Sequence, residues 1–440
     1  MSTGFRRRHV LQQAIASGSL AAAELCVGLL CARALGADGL GQLAAAVALA
    51  TVAFALTDLR LQEATVVLGT ALEADGARAQ RAALLRRLLA IDVGSGLLGF
   101  GAVAAIAAAA PLLPRALAMS PALLLTAGGA ILVKNAGNSV SRAYLRITGR
   151  YAALAALTCA GAIARVVAML PAATGSTEAD VPGVLLLVLA GNAVAGALLV
   201  VPAVAIAVMR DGIGIRGERA RPETSRRMSR FVRGSWLQSL ALAPLREMDI
   251  VILAAFAGDS AVGAYRLART GIQGIDAILS PIHLVVFPHV ARLIARAETA
   301  RLAAFLRRLT VRLAMSGVAV AAIGAFAAPK VIEAVAGPTF GPSVPLLQAI
   351  LALVPLVAAT AWAGPLLVAA GATHRAAAAT AVAGIASVAV TAVASAAAGA
   401  WGPVAGYAAF VAVHAAASIL AARRDPALGP LLGAVLRPAN

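Results

Sequence analysis

The stretch "LREMDI" places Arg246, Glu247 and Asp249 within four positions of one another, inside an apolar run from Ser239 to Phe256 that is long enough to cross a bilayer. A charged side chain at mid-bilayer costs about 2.5–3.5 kcal/mol on insertion scales, so it faces a protein interior or a wet cavity. Arg246 and Asp249, three apart, share one helix face and can partly neutralise each other, whereas Glu247 points about 100° away and needs another partner. The next run carries Arg266, Arg269, Gln273 and Asp276, whose spacings of 3, 4 and 3 make one polar stripe. In the first half, Glu24, Asp92, Lys134, Asn135, Asn138 and Arg165 also lie in or near apolar runs. Two arrangements suit such groups: a cavity between two lobes lined by both signs of charge, or structural ion pairs that fix helix register. The second suits Asp92, close to the end of its run, and Lys134 and Arg165 could instead snorkel toward an interface. His283 and His289 flank Pro288, and His414 stands alone in the last run as a packing residue or a proton relay.

The elements that must hold these groups follow from composition. The 440 residues are 61% hydrophobic and 13% charged, against about 25% charged in an ordinary soluble domain. The chain reads as an integral membrane protein. Hydropathy divides it into twelve runs of about 20 apolar residues, near 10–32, 40–59, 88–110, 121–141, 151–171, 183–209, 235–257, 263–290, 309–328, 344–370, 376–398 and 401–421. Abundant Ala and Leu, few aromatic residues and no alternating ten-residue strands predict helices, which satisfy their own backbone in hydrocarbon.

Orientation comes from arginine. With the N-terminus in the cytoplasm, Arg6 to Arg8, Arg78, Arg81, Arg86, Arg87, Arg142, Arg146, Arg150, the 210–233 and 292–312 connections, Arg375, Arg423 and Arg424 all fall on one side. Few cations fall on the other side beyond Arg33, Arg115 and Lys330. The net charge of +18 is then mostly a topology signal, nucleic acid is a poor partner, and the richest connections could attract anionic lipid headgroups. "RRRHVLQQ" with its following apolar stretch resembles a secretory signal, but Glu24 interrupts that stretch and further runs follow, so it predicts a first transmembrane helix. Cys26, Cys31 and Cys159 all fall in spans, odd in number and without a CxxC pair, which predicts packing residues and neither disulfide nor metal site. Without a linker between soluble domains, the expected organisation is a lobe at 1–209, an Arg-rich cytoplasmic loop at 210–232 and a second lobe at 233–440. The other long connections expected outside the membrane are 60–87 and an amphipathic loop at 291–308.

The chain repeats itself at an offset of 222 residues. "LGADGLGQL" aligns with "FAGDSAVGAY", setting Gly36 on Gly258, Gly41 on Gly263 and Glu24 against Arg246. Each half has an even number of spans, so the expected relation is a two-fold about the membrane normal. Pro244, Pro281, Pro288, Pro355 and Pro365 lie within spans and predict kinks, which suit alternation between inward-open and outward-open states.

Three stretches, "CARALGADGLGQLAAAVALATVAFALTDLRLQEA", "DIVILAAFAGDSAVGAYRLARTGIQGIDAILSPIHLVVFPHVARL" and "VAGPTFGPSVPLLQAILALVPLVAATAWAGPLLVAAGATHR", resemble in order and spacing the polysaccharide flippases of the multidrug, oligosaccharidyl-lipid and polysaccharide exporter superfamily. The resemblance implies an all-α, polytopic membrane protein of about twelve helices in two six-helix lobes. It implies movement of a polyprenyl-pyrophosphate-linked oligosaccharide from the cytoplasmic to the outer leaflet of the cell membrane, with both termini cytoplasmic. Members use a cationic central cavity for the headgroup. By position that role falls to Arg246, Arg266 and Arg269, with Lys134, Arg165, Gln273 and Asn138 contributing. Arginine suits bidentate phosphate contacts. Glu24, Glu247, Asp249 and Asp276 would then bind a coupling proton or sodium ion, or hold the arginines in place.

No Walker loop is present, so ATP hydrolysis by this chain is not expected, and neither is a cofactor. A charge crossing 100 mV is worth about 2.3 kcal/mol, which makes ion coupling an alternative energy source. The rival readings are a cation-coupled drug exporter or peptidoglycan-precursor flippase of the same superfamily, a membrane-embedded polymerase or glycosyltransferase, and a scaffold recruiting polysaccharide assembly enzymes through the 210–233 arginines.

Overall fold

The computed structural model describes residues 3–110, 119–174, 180–213, 221–242, 244–296, 298–425 and 428–429, and their regular secondary structure is helical. In order the elements are α1 (Thr3–Ala55), α2 (Leu61–Ala74), α3 (Arg78–Ala108), α4 (Pro121–Asn135), α5 (Asn138–Ile147), α6 (Tyr151–Ala168), α7 (Leu170–Ala173), α8 (Val181–Asp211), α9 (Pro222–Leu242), α10 (Pro244–Phe256), α11 (Asp259–Ala295), α12 (Thr299–Ala336), α13 (Ser343–Ala352), α14 (Val354–Thr360), α15 (Ala363–Ala369), α16 (Thr373–Ala398) and α17 (Trp401–Arg423).

Helix α1 holds two spans. Gly36 leaves helical geometry at φ 64° and ψ −172°, a region a side chain would obstruct, and the chain turns there as the "LGADGLG" stretch predicts. Helix α2 lies in the 60–87 connection; leaving it aside and taking α4 with α5, α6 with α7, α9 with α10 and α13 to α15 as single spans, the described residues supply twelve segments for the twelve expected. Eight described helices are long and apolar enough by length and composition to cross a membrane, α1 being counted once. Their outward faces support a lipid environment: Phe326 is 84% exposed, and Leu98, Ile323, Ile385 and Val393 each 70% or more. Large apolar side chains this exposed and this numerous are uncommon on a soluble monomer.

Several breaks follow the prolines. Pro355 and Pro365 lie in the first turns of α14 and α15, where the missing N–H costs nothing, whereas α11 runs on through Pro281 and Pro288 without the expected break. Two connections differ from expectation. The described residues of the 210–232 stretch are mostly helical: α8 runs to Asp211, and α9 starts at Pro222, a favoured first position, with a Glu223–Arg227 pair one turn apart. The 291–308 connection is also mostly helix, because its amphipathic residues continue α11 to Ala295 and begin α12 at Thr299.

The chain divides into two compact units, Met1–Leu35 with Gln42–Val251, and Gly36–Gly41 with Ile252–Asn440. At one end of the first unit, Leu61, Leu84, Leu85, Leu88, Val140 and Met228 form a core that joins α2, α3, α5 and α9. Arg81 is sealed into this end at 1% exposure. Both of its edges are used: Nε donates to Asp211 Oδ2 at 3.2 Å, a second guanidinium nitrogen meets Asp211 Oδ1, and the third meets Glu73. Tyr144 Oη donates to Asp211 at 2.9 Å and Arg210 pairs with Glu73 at 2.7 Å. One buried cation thus ties α2, α3, α5 and α8, although its sequence position suggested only a topology signal.

In the second unit, Gly36–Gly41 packs on the start of α11. A Cβ on Gly41 would fall on the Asp259 carbonyl, and one on Gly263 would fall on the Ala37 carbonyl. These are the same contact twice, since Ala37 and Asp259 are separated by the offset of 222 that separates the two glycines. A further core of Val290, Leu302, Leu306, Trp362, Leu366 and Leu367 joins α11, α12 and α15.

Two stability outcomes follow. Replacing Gly263 by Leu should lower stability by at least the 1–3 kcal/mol (about) typical of overpacking, because backbone rather than a flexible side chain occupies the space. An unshifted melting temperature in detergent would contradict that contact. Arg81→Met, which leaves Asp211 and Glu73 without their cation, should destabilise by about 3–5 kcal/mol; the check is the same melting curve, with exposed Arg227→Met as a near-neutral control.

Candidate functional site

The first unit encloses a cavity of about 310 Å³ among α1, α2, α4, α5, α6 and α8. Its position depends on a break between α4 and α5. Ala136 leaves the helix and Gly137 turns at φ 73°, so α5 restarts at Asn138. The break frees backbone groups that side chains then take up. Asn138 Nδ2 donates to the Lys134 carbonyl at 2.9 Å. Asp92 lies close to the backbone N–H groups of Gly137, Ser139 and Val140, a setting that suits a structural role at the start of the restarted helix rather than in an ion pair.

Glycine sets the approach of α8. A Cβ on Gly196 would lie 2.7 Å from the Val133 carbonyl, and one on Gly191 would lie 3.1 Å from Arg165 Cα. Helix α8 therefore presses against the backbones that carry Lys134 and Arg165. Both cations turn inward to Glu24 of α1 rather than snorkelling. Glu24 Oε1 accepts from Lys134 Nζ at 2.8 Å and from Arg165 at 2.9 Å. Arg165 is 8% exposed at its side chain, whereas Lys134 and Glu24 are about two-fifths exposed.

Arg142 adds a third cation to the cavity wall, with Nε donating to Asn138 Oδ1 at 2.6 Å. Three cations facing one carboxylate make this an anion-attracting site. Amides complete the lining: Gln62, Asn135, Asn138 and Asn192. Asn192 donates to the Ala130 carbonyl at 3.2 Å, but its Oδ1 and the buried Thr158 Oγ1 have no protein partner among the described residues. Both oxygens are sealed from the cavity space, whereas the Gln62 and Asn135 amides are accessible and can bind hydroxyls or water.

Of the sequence candidates, Glu24, Lys134, Asn138 and Arg165 therefore meet at one place. Gln62, Thr158 and Asn192 were missed, and Arg142 was read only as a topology signal. Gln62 and Asn192 are single amides whose shared cavity is invisible in sequence. The other candidates stand on α10 and α11. Glu247 and Asp249 are half-buried on α10; Arg266 and Arg269 are half-buried and Gln273 exposed on α11. Because α11 is continuous, Arg266, Arg269 and Gln273 share a face as their spacing predicts. The side chains of Arg246, Asp276, His283 and His289 lie outside the described residues. His414 lies 3.3 Å from Thr380 Oγ1 and stacks on Phe410 at 5.5 Å, a packed setting. Among the described residues no group of His, Cys, Asp or Glu could hold a metal ion.

The fold defines a class: a multi-pass, two-lobed helical membrane protein with the architecture of the transporters of the MOP superfamily. A multidrug resistance MATE family transporter of that superfamily, inward-facing, aligns at TM-score 0.70 and 17% identity over 93% of this chain and 96% of its own. The lipid II flippase MurJ, in an inward closed conformation, aligns at TM-score 0.70 and 10% identity over 97% and 90%. The Vibrio cholerae MATE transporter VcmN aligns at 0.58 and 14% over 97% and 98%. Residues 30–345 match the family described as "Polysaccharide biosynthesis protein", and the chain belongs to it. A search of curated proteins gives no match.

Glu24→Gln should leave Lys134 and Arg165 facing each other without a counter-charge. The expected loss is about 1–3 kcal/mol, below that of a fully buried pair because Glu24 and Lys134 open on the cavity. Adding Lys134→Met should recover part of it, as read from a double-mutant cycle of melting temperatures. A strictly additive cycle would mean that the pair does not interact.

Proposed function

We propose that the protein is an alternating-access flippase that carries a polyprenyl-pyrophosphate-linked oligosaccharide from the cytoplasmic to the outer leaflet of the cell membrane for surface polysaccharide assembly. The observation that carries this reading is the cavity of Lys134, Arg142 and Arg165, whose excess of positive charge and accessible Gln62 and Asn135 amides suit an anionic headgroup joined to sugars. Arginine contributes bidentate phosphate contacts, and amides contribute hydrogen bonds to hydroxyls. A net cationic wall disfavours the cationic substrates of a drug exporter. Family membership and the transporter fold support the reading.

Glu24 supplies the reset in this scheme. A pyrophosphate arriving between Lys134 and Arg165 competes with Glu24 Oε1 for the same donors, and its departure returns them to the carboxylate. Glu247, Asp249 and Asp276 are proposed to balance Arg246, Arg266 and Arg269 in the second half of the path, with a proton or sodium ion as the coupling partner. The α4/α5 break and the breaks at α14 and α15 give the helices places to bend.

The test is flipping of a fluorescent polyprenyl-pyrophosphate oligosaccharide in proteoliposomes. Wild type should flip it, and Arg142→Ala and Lys134→Ala should each reduce the rate at least about tenfold while inserting normally, the loss expected from removing a charge-assisted phosphate contact. Arg246→Ala and Arg269→Ala should do the same if the second half shares the headgroup. Unchanged rates in all four variants would remove the cationic cavity from the mechanism, and absence of flipping by wild type would remove the substrate.

A further inference from the structure

A second cavity, of about 400 Å³, lies on the outer side of the α16/α17 hairpin in the second unit. The hairpin is closed tightly at its turn: a Cβ on Gly402 would strike Ser395, and one on Gly406 would strike Thr391. Toward the other end, where α16 begins and α17 finishes, the two helices leave a groove. Arg375 and Arg424 stand at its mouth. Below them, Ala379 is 4% exposed and forms the floor, while Val382 and Leu420, 54% and 50% exposed, form the rim. From Arg375 to Val382 the groove descends seven residues, or about 10 Å along the helix.

We propose that this groove is a binding site for an anionic phospholipid, with the phosphate between Arg375 and Arg424 and one acyl chain laid along the alanine floor. Three observations point to it. The two arginines sit where the hairpin leaves its apolar stretch, which is the depth of the headgroup region. The groove below them is apolar throughout and bounded by small residues, so it accepts a chain of methylenes and offers nothing to a sugar. Its charge also selects: Arg375 Nη1 is held by Asp425 Oδ2 at 2.8 Å, while Arg424 is exposed. The Asp425 carboxylate orients one guanidinium and leaves a net positive mouth, which fits a single phosphodiester with a neutral glycerol head. This site is separate from the Glu24 cavity, and its occupancy does not depend on what the protein transports.

The experiment uses the purified full-length protein in detergent, titrated with phosphatidylglycerol, phosphatidylcholine of the same chains, or polyprenyl monophosphate, with binding followed by native mass spectrometry and melting temperature. Phosphatidylglycerol should bind and raise the melting temperature, and phosphatidylcholine should do neither. Arg375→Gln with Arg424→Gln should weaken phosphatidylglycerol about thirtyfold, and Arg424→Gln alone about fivefold, from the usual contribution of a cation near an anionic headgroup. Val382→Trp, which keeps both charges and fills the groove from its exposed rim, should abolish binding without moving the lipid-free melting temperature. Equal binding of phosphatidylcholine, or phosphatidylglycerol binding retained in both Arg424→Gln and Val382→Trp, would overturn the site. Preference for polyprenyl phosphate over phosphatidylglycerol would overturn the phospholipid as its occupant.

Discussion

One carboxylate oxygen organises the first unit. Glu24 Oε1 accepts from both Lys134 and Arg165, and a membrane interior allows little else, because an unpaired charge in low dielectric is expensive. The shared oxygen fixes α1 against α4 and α6. It also leaves a surplus, since two cations divide one negative charge and Arg142 adds a third. The polarity of the cavity thus follows from how few acids the first unit can bury. A transported anion and Glu24 then become competitors for the same donors, the property on which the proposed mechanism rests.

Close helix approach is the second constraint, and glycine and alanine supply it. Lipid chains are as apolar as leucine, so burying leucine drives helix association weakly, and tight packing of small residues takes its place. Gly191 and Gly196 bring α8 onto the backbones beside Arg165 and Val133; bulkier residues there would hold the helices apart and separate the Glu24 partners. Gly41 and Gly263 make the equivalent approach in the second unit, on each other's halves of the internal repeat. Polar ties close the aqueous end instead, where Arg81 can be fully satisfied by Asp211 and Glu73 because several helix ends meet there.

Broken helices link these two constraints to function. The α4/α5 break at Gly137 turns Asn138 and Arg142 to the cavity, and the Asn138 amide takes up the freed Lys134 carbonyl. Pro355 and Pro365 interrupt another span at their own first turns. Sequence showed the prolines, since each removes a donor wherever it occurs. It did not show the Gly137 break, because a glycine within an apolar run also reads as a packing residue.

The number of spans, the turn at Gly36, the repeat at 222 residues and the presence of intramembrane charge were all determined by sequence, because each depends on local composition or spacing alone. Only the tertiary structure decided which charges meet. Lys134 and Arg165 lie 110 and 141 residues from Glu24, and their pairing depends on α8 glycines that no spacing rule connects to them. Likewise Arg81, which the sequence offered only as one arginine among many, is the most deeply buried of the described cations. The physical reason is the same in both cases: a charge in an apolar surrounding goes to the partner that folding brings within hydrogen-bond reach, and that reach is set by helix packing and not by position in the chain.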